Sequence, residues 1–371
     1  STTVAFQREV VKPDEAAEKF KKMAQSFGLN DVQSYNKQYC EPFPELIPGT
    51  TLQLKAAMGS GKTHQLYAHL RARIPEERSI LLVSHRRSFA NKHAGDSDGI
   101  LKCYLDLQDE AQDLNDIERL IASIEQLPKV KRPYVVVVLD EIEELLGHFS
   151  CSTSTMNIQR SRAFTVFERL VKNAEVVIAL DARLNRRAMR FLSAHRDKKK
   201  TRCIVNTRVP DRGKMYVVHR REEFYEQLIR NAKSGKPGVV VTNTKAEALA
   251  IANTLRERYH VISKPKTNIV DLLEHAGKHP GVPGLPTLRM LEINSTTMQN
   301  PLIQGIVADA TTMWPKFDIV IYTPSVSAGI DCNTDYFKWG MIYAVQCSTN
   351  VDSLIQQMGR VRKLKTFFLY L

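Results

Sequence analysis

The stretch Leu52-Gln-Leu-Lys-Ala-Ala-Met-Gly-Ser-Gly-Lys-Thr63 decides the fold of the first half of this chain. A short apolar strand is predicted at its start, and a helical pattern follows over residues 64–73. A glycine-containing loop between a strand and a helix is typical of a phosphate-binding loop, although Ala56 stands where that motif usually has its first glycine. Gly59 and Gly61 let the backbone approach a phosphate closely, and the helix N-terminus adds N–H groups and a positive dipole.

This loop predicts a binding site for a nucleotide and Mg²⁺. We expect the nucleotide to be bound by Gly59, Ser60, Gly61, Lys62 and Thr63. Lys62 would provide a cation for the β- and γ-phosphates, and the Thr63 hydroxyl would bind Mg²⁺. The alternative is a glycine-rich turn that happens to contain a lysine, and the strand–loop–helix context argues against it. The loop predicts a nucleotide site without saying which enzyme carries it.

Length and composition restrict the class of protein. The 371 residues predict two domains of roughly 150 to 200 residues each. No apolar run approaches about 18 residues and the first 30 residues are polar and charged, so we expect neither a membrane span nor a secretory signal. The six cysteines include no Cys-x-x-Cys pair, which predicts reduced thiols in an intracellular protein and argues against a zinc site.

The positive charge is concentrated in one tenth of the chain. Between Arg183 and Arg221 there are fourteen Lys or Arg residues and two acids, a balance of 14 − 2 = +12, against a net charge of +13 for the whole chain. Such a zone suits a polyanion, because neutralising phosphates releases counterions. The alternative is a solvated helix and linker that charge keeps soluble.

A second chemical motif follows a continuous apolar run at residues 134–139, which is typical of a central parallel strand. Asp140 and Glu141 stand directly after it. Two adjacent carboxylates are costly to bury unpaired, and they suit a position beside Mg²⁺. Asp140 is expected to hold the metal ion, and Glu141 to orient the attacking water and accept its proton. Acids at a strand end are common, so the motif gains its weight from the upstream phosphate loop.

Strand and helix patterns alternate along the rest of the chain and predict an α/β fold with parallel sheets and right-handed crossovers. The predicted strands are 79–83, 120–124, 175–180, 203–205, 215–218, 238–242 and 317–322, and the predicted helices are 14–27, 106–119, 184–196, 221–233, 245–259 and 351–361. Residues 264–288 are expected to form a long surface loop around one short helix. The expected organisation is a lead-in (1–50), an ATP-binding domain (51–208) and a second domain (209–371).

Four motifs in this order resemble superfamily 2 helicases. They are Ala-x-x-Gly-x-Gly-Lys-Thr at 56–63, Asp-Glu at 140–141, Thr-x5-Gly-x-Asp at 323–331 and Gln-x-x-Gly-Arg-x-Arg at 356–362. Each is a weak signal alone, whereas the ordered set is a strong one. The resemblance spans residues 50 to 365 and implies a P-loop NTPase with two tandem RecA-like domains, each a parallel sheet flanked by helices.

Finer matches resemble one branch, the herpesvirus-type replication origin-binding helicases, which also occur in other large DNA viruses. They lie at residues 58–63, 83–89, 179–182, 314 and 318–324. Glu143 departs from this pattern, because many relatives have His or Asp there. The chain also stops nine residues after Arg362 with no visible module that reads origin sequence, so we expect an excised motor.

The resemblance implies catalytic roles in the second half of the chain. Arg360 and Arg362 resemble arginine fingers for the γ-phosphate, because a planar guanidinium spreads charge over phosphoryl oxygens. The alternative is a helix with two solvated arginines. Gln356 would sense the γ-phosphate, and Gly329 and Asp331 would bind nucleotide and link it to the face that grips DNA.

Four further residues are implied to contact the backbone of a nucleic acid strand: Ser84, Arg86, Thr242 and Thr244. Contacts of this kind position a strand without reading its sequence. For the segment that begins at Ser84, a capped helix start is the alternative.

The predicted function is an ATP-dependent DNA helicase motor of viral-type replication initiation, which couples Mg-ATP hydrolysis to movement along single-stranded DNA and to strand separation. Its expected partners are single-stranded or forked DNA and other replication proteins, without a membrane, in the nucleus or cytoplasm of an infected cell. The alternatives are a duplex DNA translocase that does not unwind and a DNA-binding initiator that uses ATP as an assembly switch. A small-molecule kinase would leave the 356–362 motif and the basic zone without a role.

Overall fold

The computed structural model describes residues 4–6, 12–84, 87–107, 113–150, 159–209, 213–262, 285–324, 330, 332–345 and 351–371. The chain divides into two compact units. The N-terminal unit comprises residues 10–210, and the C-terminal unit comprises residues 211–371 together with residues 1–9.

Strands and helices alternate through both units. The described strands are β1 (Val4–Phe6), β2 (Asp31–Tyr35), β3 (Thr51–Lys55), β4 (Ile80–Ser84), β5 (Lys102–Cys103), β6 (Arg119–Ser123), β7 (Val136–Asp140), β8 (Val176–Asp181), β9 (Thr201–Asn206), β10 (Lys214–Val218), β11 (Gly238–Thr242), β12 (His260–Ile262), β13 (Thr287–Ile293), β14 (Ile319–Tyr322), β15 (Trp339–Tyr343) and β16 (Thr366–Tyr370). The described helices are α1 (Pro13–Gln25), α2 (Lys62–Arg73), α3 (Arg87–Asp96), α4 (Ile142–Ser150), α5 (Arg160–Asn173), α6 (Arg186–His195), α7 (Arg221–Lys233), α8 (Lys245–Arg256), α9 (Pro301–Ala308), α10 (Ala310–Met313) and α11 (Val351–Met358). Within the described ranges, no helix is long and apolar enough to cross a membrane.

The N-terminal unit is built on one parallel sheet with the strand order β2-β9-β3-β8-β7-β4-β6-β5, which confirms the predicted fold class. Side chains alternate between the two faces of a strand, and both faces of β7 are covered. Val137 and Leu139 join one hydrophobic cluster, while Val136 and Val138 join the other. Because all strands run the same way, the segments that follow β3, β7 and β8 emerge at one edge of the sheet.

The C-terminal unit has a second sheet with the order β1-β10-β16-β15-β11-β14-β13-β12. All pairs in it are parallel except β1, which lies antiparallel to β10. The alternation seen in the first sheet recurs here, since Val239 and Val241 join one hydrophobic cluster and Val240 joins another. The first residues of the chain therefore contribute an edge strand to the unit formed by its last residues.

The helix predicted over residues 106–119 is wrong. The described part of this segment contains short 3₁₀ turns, one of them at Leu114–Asp116, and β6 begins at Arg119. The side chain of Asp113 accepts the backbone N–H of Asn115 at 3.0 Å. Local bonds of this kind offer the backbone an alternative to a helix, which is why Asp and Asn favour turns.

Several strands are not predicted by the sequence patterns, and the longest of these are β2, β13, β15 and β16. Strand β13 begins at Thr287, within the last two residues of the segment expected to be a loop over residues 264–288. Residues 264–284 of that segment lie outside the described residues. Strand β16 pairs in parallel with both β10 and β15, so the last residues of the chain are an internal strand of the second sheet.

Candidate functional site

The phosphate loop has the geometry that its sequence predicts. Gly59 and Gly61 have φ angles of 76° and 78°, in the left-handed region that costs other residues free energy. Gly61 is the N-cap of α2, and Lys62 is the first residue of that helix. The loop therefore turns directly into a helix N-terminus, which is the arrangement that binds anions.

Lys62 is held within the loop. Its Nζ donates to the carbonyl oxygens of Ala56 and Ala57 at 2.7 and 3.0 Å. Burial lowers the pKa of this ammonium group, and the negative charges of Asp140 and Asp181 act against that shift. A bound phosphate could replace the two carbonyl oxygens as the acceptor of the hydrogen bonds that Lys62 Nζ donates.

The two predicted carboxylates lie where β7 ends, Asp140 as its last residue and Glu141 directly after it. Asp140 is 4% exposed, and its Oδ1 accepts the backbone N–H of Glu141 at 3.0 Å. Glu141 has a φ of 57°, one of two non-glycine residues with a positive φ in the described chain. Its carbonyl accepts the N–H groups of Glu144 and Leu145, so the residue forms the sharp turn between β7 and α4.

The donors that could hold a metal ion suit Mg²⁺. Thr63 offers a hydroxyl at the start of α2 and Asp140 a carboxylate at the end of β7, and oxygen is the ligand atom that this hard cation prefers. Among the residues that the structure describes, no group of three or more His, Cys, Asp and Glu could hold a metal ion. Mg²⁺ is commonly held by one or two carboxylates together with the phosphates of a ligand.

Asp181, at the end of β8, connects the neighbouring segments. It lies opposite Lys55 in the strand register, and its carboxylate accepts the N–H groups of Glu143 at 2.8 Å and Arg183 at 2.7 Å. Burial raises the pKa of Asp181 to about 6, and the two backbone donors act against the shift. The carboxylate thereby fixes the start of α4, the helix that follows Asp140 and Glu141.

Glu143, at which the helicase resemblance predicts His or Asp, caps α6. Its side chain is 3% exposed and accepts the N–H groups of Asn185 at 2.9 Å and Ala188 at 3.2 Å. The guanidinium of Arg187 also donates to its carboxylate and to its carbonyl oxygen. A buried carboxylate at a helix N-terminus is favourable because it meets unpaired N–H groups and the positive end of the dipole. Hydrogen bonds thus join the start of α4 to the start of α6, a helix within the basic zone.

One residue beside the phosphate loop is missed by the sequence reasoning. The backbone N–H of Cys40 donates to the Ser60 carbonyl at 2.7 Å, which fixes the preceding segment against the loop. Tyr39 is 62% exposed, and a Cβ atom at Gly61 would lie 3.9 Å from a ring carbon of this tyrosine. The sequence signal for Tyr39 is weak: it is an aromatic residue just before the proline-rich part of the lead-in.

The residues predicted to contact nucleic acid differ in their exposure. Ser84 and Thr242 are both 0% exposed, so neither side chain reaches solvent in this conformation. Thr244 is partly exposed and caps α8, where its hydroxyl accepts the N–H of Glu247 at 3.1 Å. Arg86 lies outside the described residues.

Within the N-terminal unit, the described residues of the basic zone do not form one continuous patch. Arg183 and Arg187 lie near the end of β8 and pair with Glu144 and Glu143. Lys198–Lys200 precede the start of β9, at the opposite edge of the parallel sheet. Arg196 is structural, because its guanidinium donates to carbonyl oxygens at the end of α5 and around the starts of β3 and β8.

The two predicted arginine fingers lie after α11 rather than on it, which corrects the helix expected over 351–361. The helix ends at Met358, and Arg360 is 9% exposed in the turn that follows. Cys332 fixes this turn, since its N–H donates to the Arg360 carbonyl and its carbonyl accepts the Arg362 N–H, each at 2.9 Å. Gly329, Asp331 and the side chain of Gln356 lie outside the described residues.

Comparisons with known proteins identify the family of this chain. A family profile described as origin of replication binding protein matches residues 46–233, more than half of the chain. The chain is 26% identical over 324 residues to a replication origin-binding protein of human herpesvirus 6A and 25% identical over 333 residues to a putative helicase/primase complex protein of African swine fever virus. These alignments cover 84% and 87% of this chain but 36% and 28% of the relatives, so the chain spans about a third of their length.

Solved structures share the fold. The helicase Lhr of Mycobacterium smegmatis, bound to ssDNA and AMP-PNP, aligns with a TM-score of 0.54 and 17% identity over 87% of this chain and 44% of its own. Dbp5 of S. cerevisiae, bound to RNA and ADP BeF3, aligns with a TM-score of 0.54 and 13% identity over 87% of this chain and 79% of its own. At identities this low, the likeness concerns the fold alone, and it shows an architecture of tandem RecA-like domains.

Proposed function

The chain belongs to the origin of replication binding protein family, and on that premise we propose that it is the ATP-driven motor of a viral-type replication initiator. The motor would hydrolyse Mg-ATP, move along single-stranded DNA and separate the strands of a fork. The names of the herpesvirus and African swine fever virus relatives support a role in replication. The nucleotides and nucleic acids in the titles of the solved helicases support ATP and a nucleic acid strand as ligands.

The observation that carries the proposal is the grouping of one cation and two carboxylates at one edge of the N-terminal sheet. Lys62 begins α2 directly after the phosphate loop, Asp140 is the last residue of β7, and Glu141 follows it. The influence of Asp140 and Glu141 on the pKa of Lys62 supports their proximity. A cation, a metal-holding carboxylate and a base are the groups that phosphoryl transfer to water requires.

Each residue would have a distinct role in hydrolysis. The N–H groups of the loop and the Lys62 ammonium would neutralise the β- and γ-phosphates. Thr63 and Asp140 would hold Mg²⁺, which supplies further positive charge to the phosphoryl oxygens. Glu141 would orient the attacking water and accept its proton. Arg360 and Arg362 would add their charge to the γ-phosphate in the transition state.

The decisive experiment measures ATP hydrolysis with and without single-stranded DNA and RNA at a fixed salt concentration. We expect single-stranded DNA to raise the rate several-fold and a forked duplex to lose its displaced strand only when ATP is present. A rate that no nucleic acid changes would contradict the motor and favour ATP as an assembly switch. Stimulation by duplex DNA without strand displacement would favour the translocase.

Tyr39 is expected to stack on the base of the bound nucleotide. Stacking of a base on an aromatic side chain contributes about 1–3 kcal/mol, so Tyr39→Ala should raise the KM for ATP about 10-fold with kcat nearly unchanged. Tyr39→Phe keeps the ring and should retain the KM of the wild type. Steady-state kinetics at saturating single-stranded DNA measure both constants, and an unchanged KM in Tyr39→Ala would exclude the stacking role.

A further inference from the structure

A buried series of side chains lies behind the carboxylate that is proposed to hold the metal ion. Nε2 of His93 is 3.3 Å from Oδ2 of Asp140. Nδ1 of the same ring is 2.6 Å from the hydroxyl oxygen of Tyr67. Tyr67, His93 and Asp140 are 2%, 1% and 4% exposed, so bulk water does not compete for these contacts. None of the helicase-like motifs contains Tyr67 or His93.

The two oxygens of Asp140 are thereby used differently. Oδ1 accepts the N–H of Glu141 at 3.0 Å, and Oδ2 lies beside His93. A carboxylate contacted at both oxygens has a defined plane, and a ring contacted at both nitrogens has a defined orientation. Mutation of a group that orients a metal ligand in this way typically weakens metal binding about 10- to 100-fold.

The three residues also join three elements of the nucleotide site. Tyr67 lies on α2, the helix that begins with Lys62, and Asp140 ends β7. His93 lies on α3, which begins at Arg87, close to the end of β4 where a nucleic acid contact is predicted. A displacement of α3 would therefore move the imidazole against the Asp140 carboxylate.

We propose that His93 is a positioning residue that orients Asp140 for Mg²⁺ and makes metal affinity depend on the position of α3. The proposal rests on the proposed function, because it assigns a role within the same nucleotide site. The rival explanation is packing alone. Packing predicts that a substitution of similar volume has no effect specific to the metal, whereas positioning predicts a loss that a hydrogen-bond donor at the same place restores.

The test compares His93→Met, which removes both nitrogens, with His93→Gln, whose amide can donate to Asp140 from nearly the same position. Free Mn²⁺ is followed by electron paramagnetic resonance in the presence of a non-hydrolysable ATP analogue. We expect His93→Met to weaken Mn²⁺ binding about 10-fold and to raise the Mg²⁺ concentration needed for half-maximal hydrolysis by a similar factor. His93→Gln should recover most of the loss. Affinity for the analogue without metal should not change.

His69→Gln is the matched control, because His69 is a buried histidine of α2 at 6% exposure whose ring lies beside Phe43. It should bind Mn²⁺ as the wild type does. Tyr67→Phe removes only a hydroxyl and should weaken Mn²⁺ binding in the same direction, which decides the question if His93→Met does not fold.

Three outcomes would overturn the inference. Unchanged Mn²⁺ affinity in folded His93→Met, or in Tyr67→Phe if the methionine variant does not fold, would leave packing as the explanation and the proposed function intact. A glutamine variant as defective as the methionine variant would also leave packing. A wild type that binds neither the analogue nor Mn²⁺ with it would overturn the proposed function together with this inference.

Discussion

Lys62→Ala is expected to lower the rate of ATP hydrolysis by about 1,000-fold, the upper end of the loss that follows removal of one preorganised charge-stabilising donor. In the structure the ammonium group is already held at the loop by the carbonyl oxygens of Ala56 and Ala57. A phosphate would replace these acceptors with little reorganisation of the side chain, so the positive charge is in place before the reaction. Steady-state hydrolysis at saturating single-stranded DNA measures the effect.

An exposed lysine of the same unit provides the control. The side chain of Lys22 on α1 is 74% exposed and lies 3.7 Å from Glu18, and Lys22→Ala should hydrolyse ATP at the wild-type rate. Thermal unfolding should show that both variants are folded, because the Lys62 ammonium bonds only to the loop carbonyls among the contacts described. A Lys62→Ala variant within tenfold of the wild-type rate would remove Lys62 from phosphate stabilisation.

Glu141→Gln is expected to lower hydrolysis by roughly 10²–10⁴-fold, the contribution typical of a general base. The amide keeps the size of the side chain but cannot accept a proton from water. Binding of the ATP analogue should remain close to that of the wild type, because the substitution leaves Lys62 and Asp140 unchanged. Rapid hydrolysis by this variant would show that another group accepts the proton.

The backbone of Glu141 adds a second expectation at the same residue. A φ of 57° costs a residue with a Cβ about 1–2 kcal/mol, a cost that glycine does not share. Glu141→Gly should therefore have a larger free energy of unfolding than Glu141→Ala, although both should be inactive. At Glu18, an exposed position in α1, the order should reverse, because alanine is the better helix former by about 1 kcal/mol. Denaturant unfolding of the four variants tests the contrast.

The fold could be predicted where a strand is covered on both faces. Strands β7 and β11 are buried along their whole length, and every position before their last residues, Asp140 and Thr242, is apolar, so the run is visible in the sequence. Strand β2 has only partly buried and exposed positions, and β16 has a single buried one. These strands are stabilised by β9, β10 and β15, which are distant in the sequence, so no local pattern reveals them.

The residues of the candidate site divide in the same way, into those that a local sequence pattern reveals and those that depend on packing. Lys62, Asp140 and Glu141 could be predicted because phosphate chemistry requires particular residue types at fixed spacing. The contacts of His93 with Asp140, and of Glu143 with the start of α6, depend on how helices pack against the sheet, and the sequence carries no spacing rule for them. The roles assigned to Ser84 and Thr242 in binding nucleic acid stay predictions, and the burial of both side chains means that a direct contact requires local rearrangement.

Strand β1 has a practical consequence for work on half of the protein. It pairs along one side of β10, the first strand that residues 211–371 contribute to the second sheet. A polypeptide cut between the two units would lack this pairing and would present the unpaired N–H and C=O groups of β10 to solvent. Unprotected edges of this kind associate with other copies of themselves. The C-terminal unit studied alone is therefore best produced with residues 1–9 joined to it, so that aggregation is not mistaken for oligomerisation.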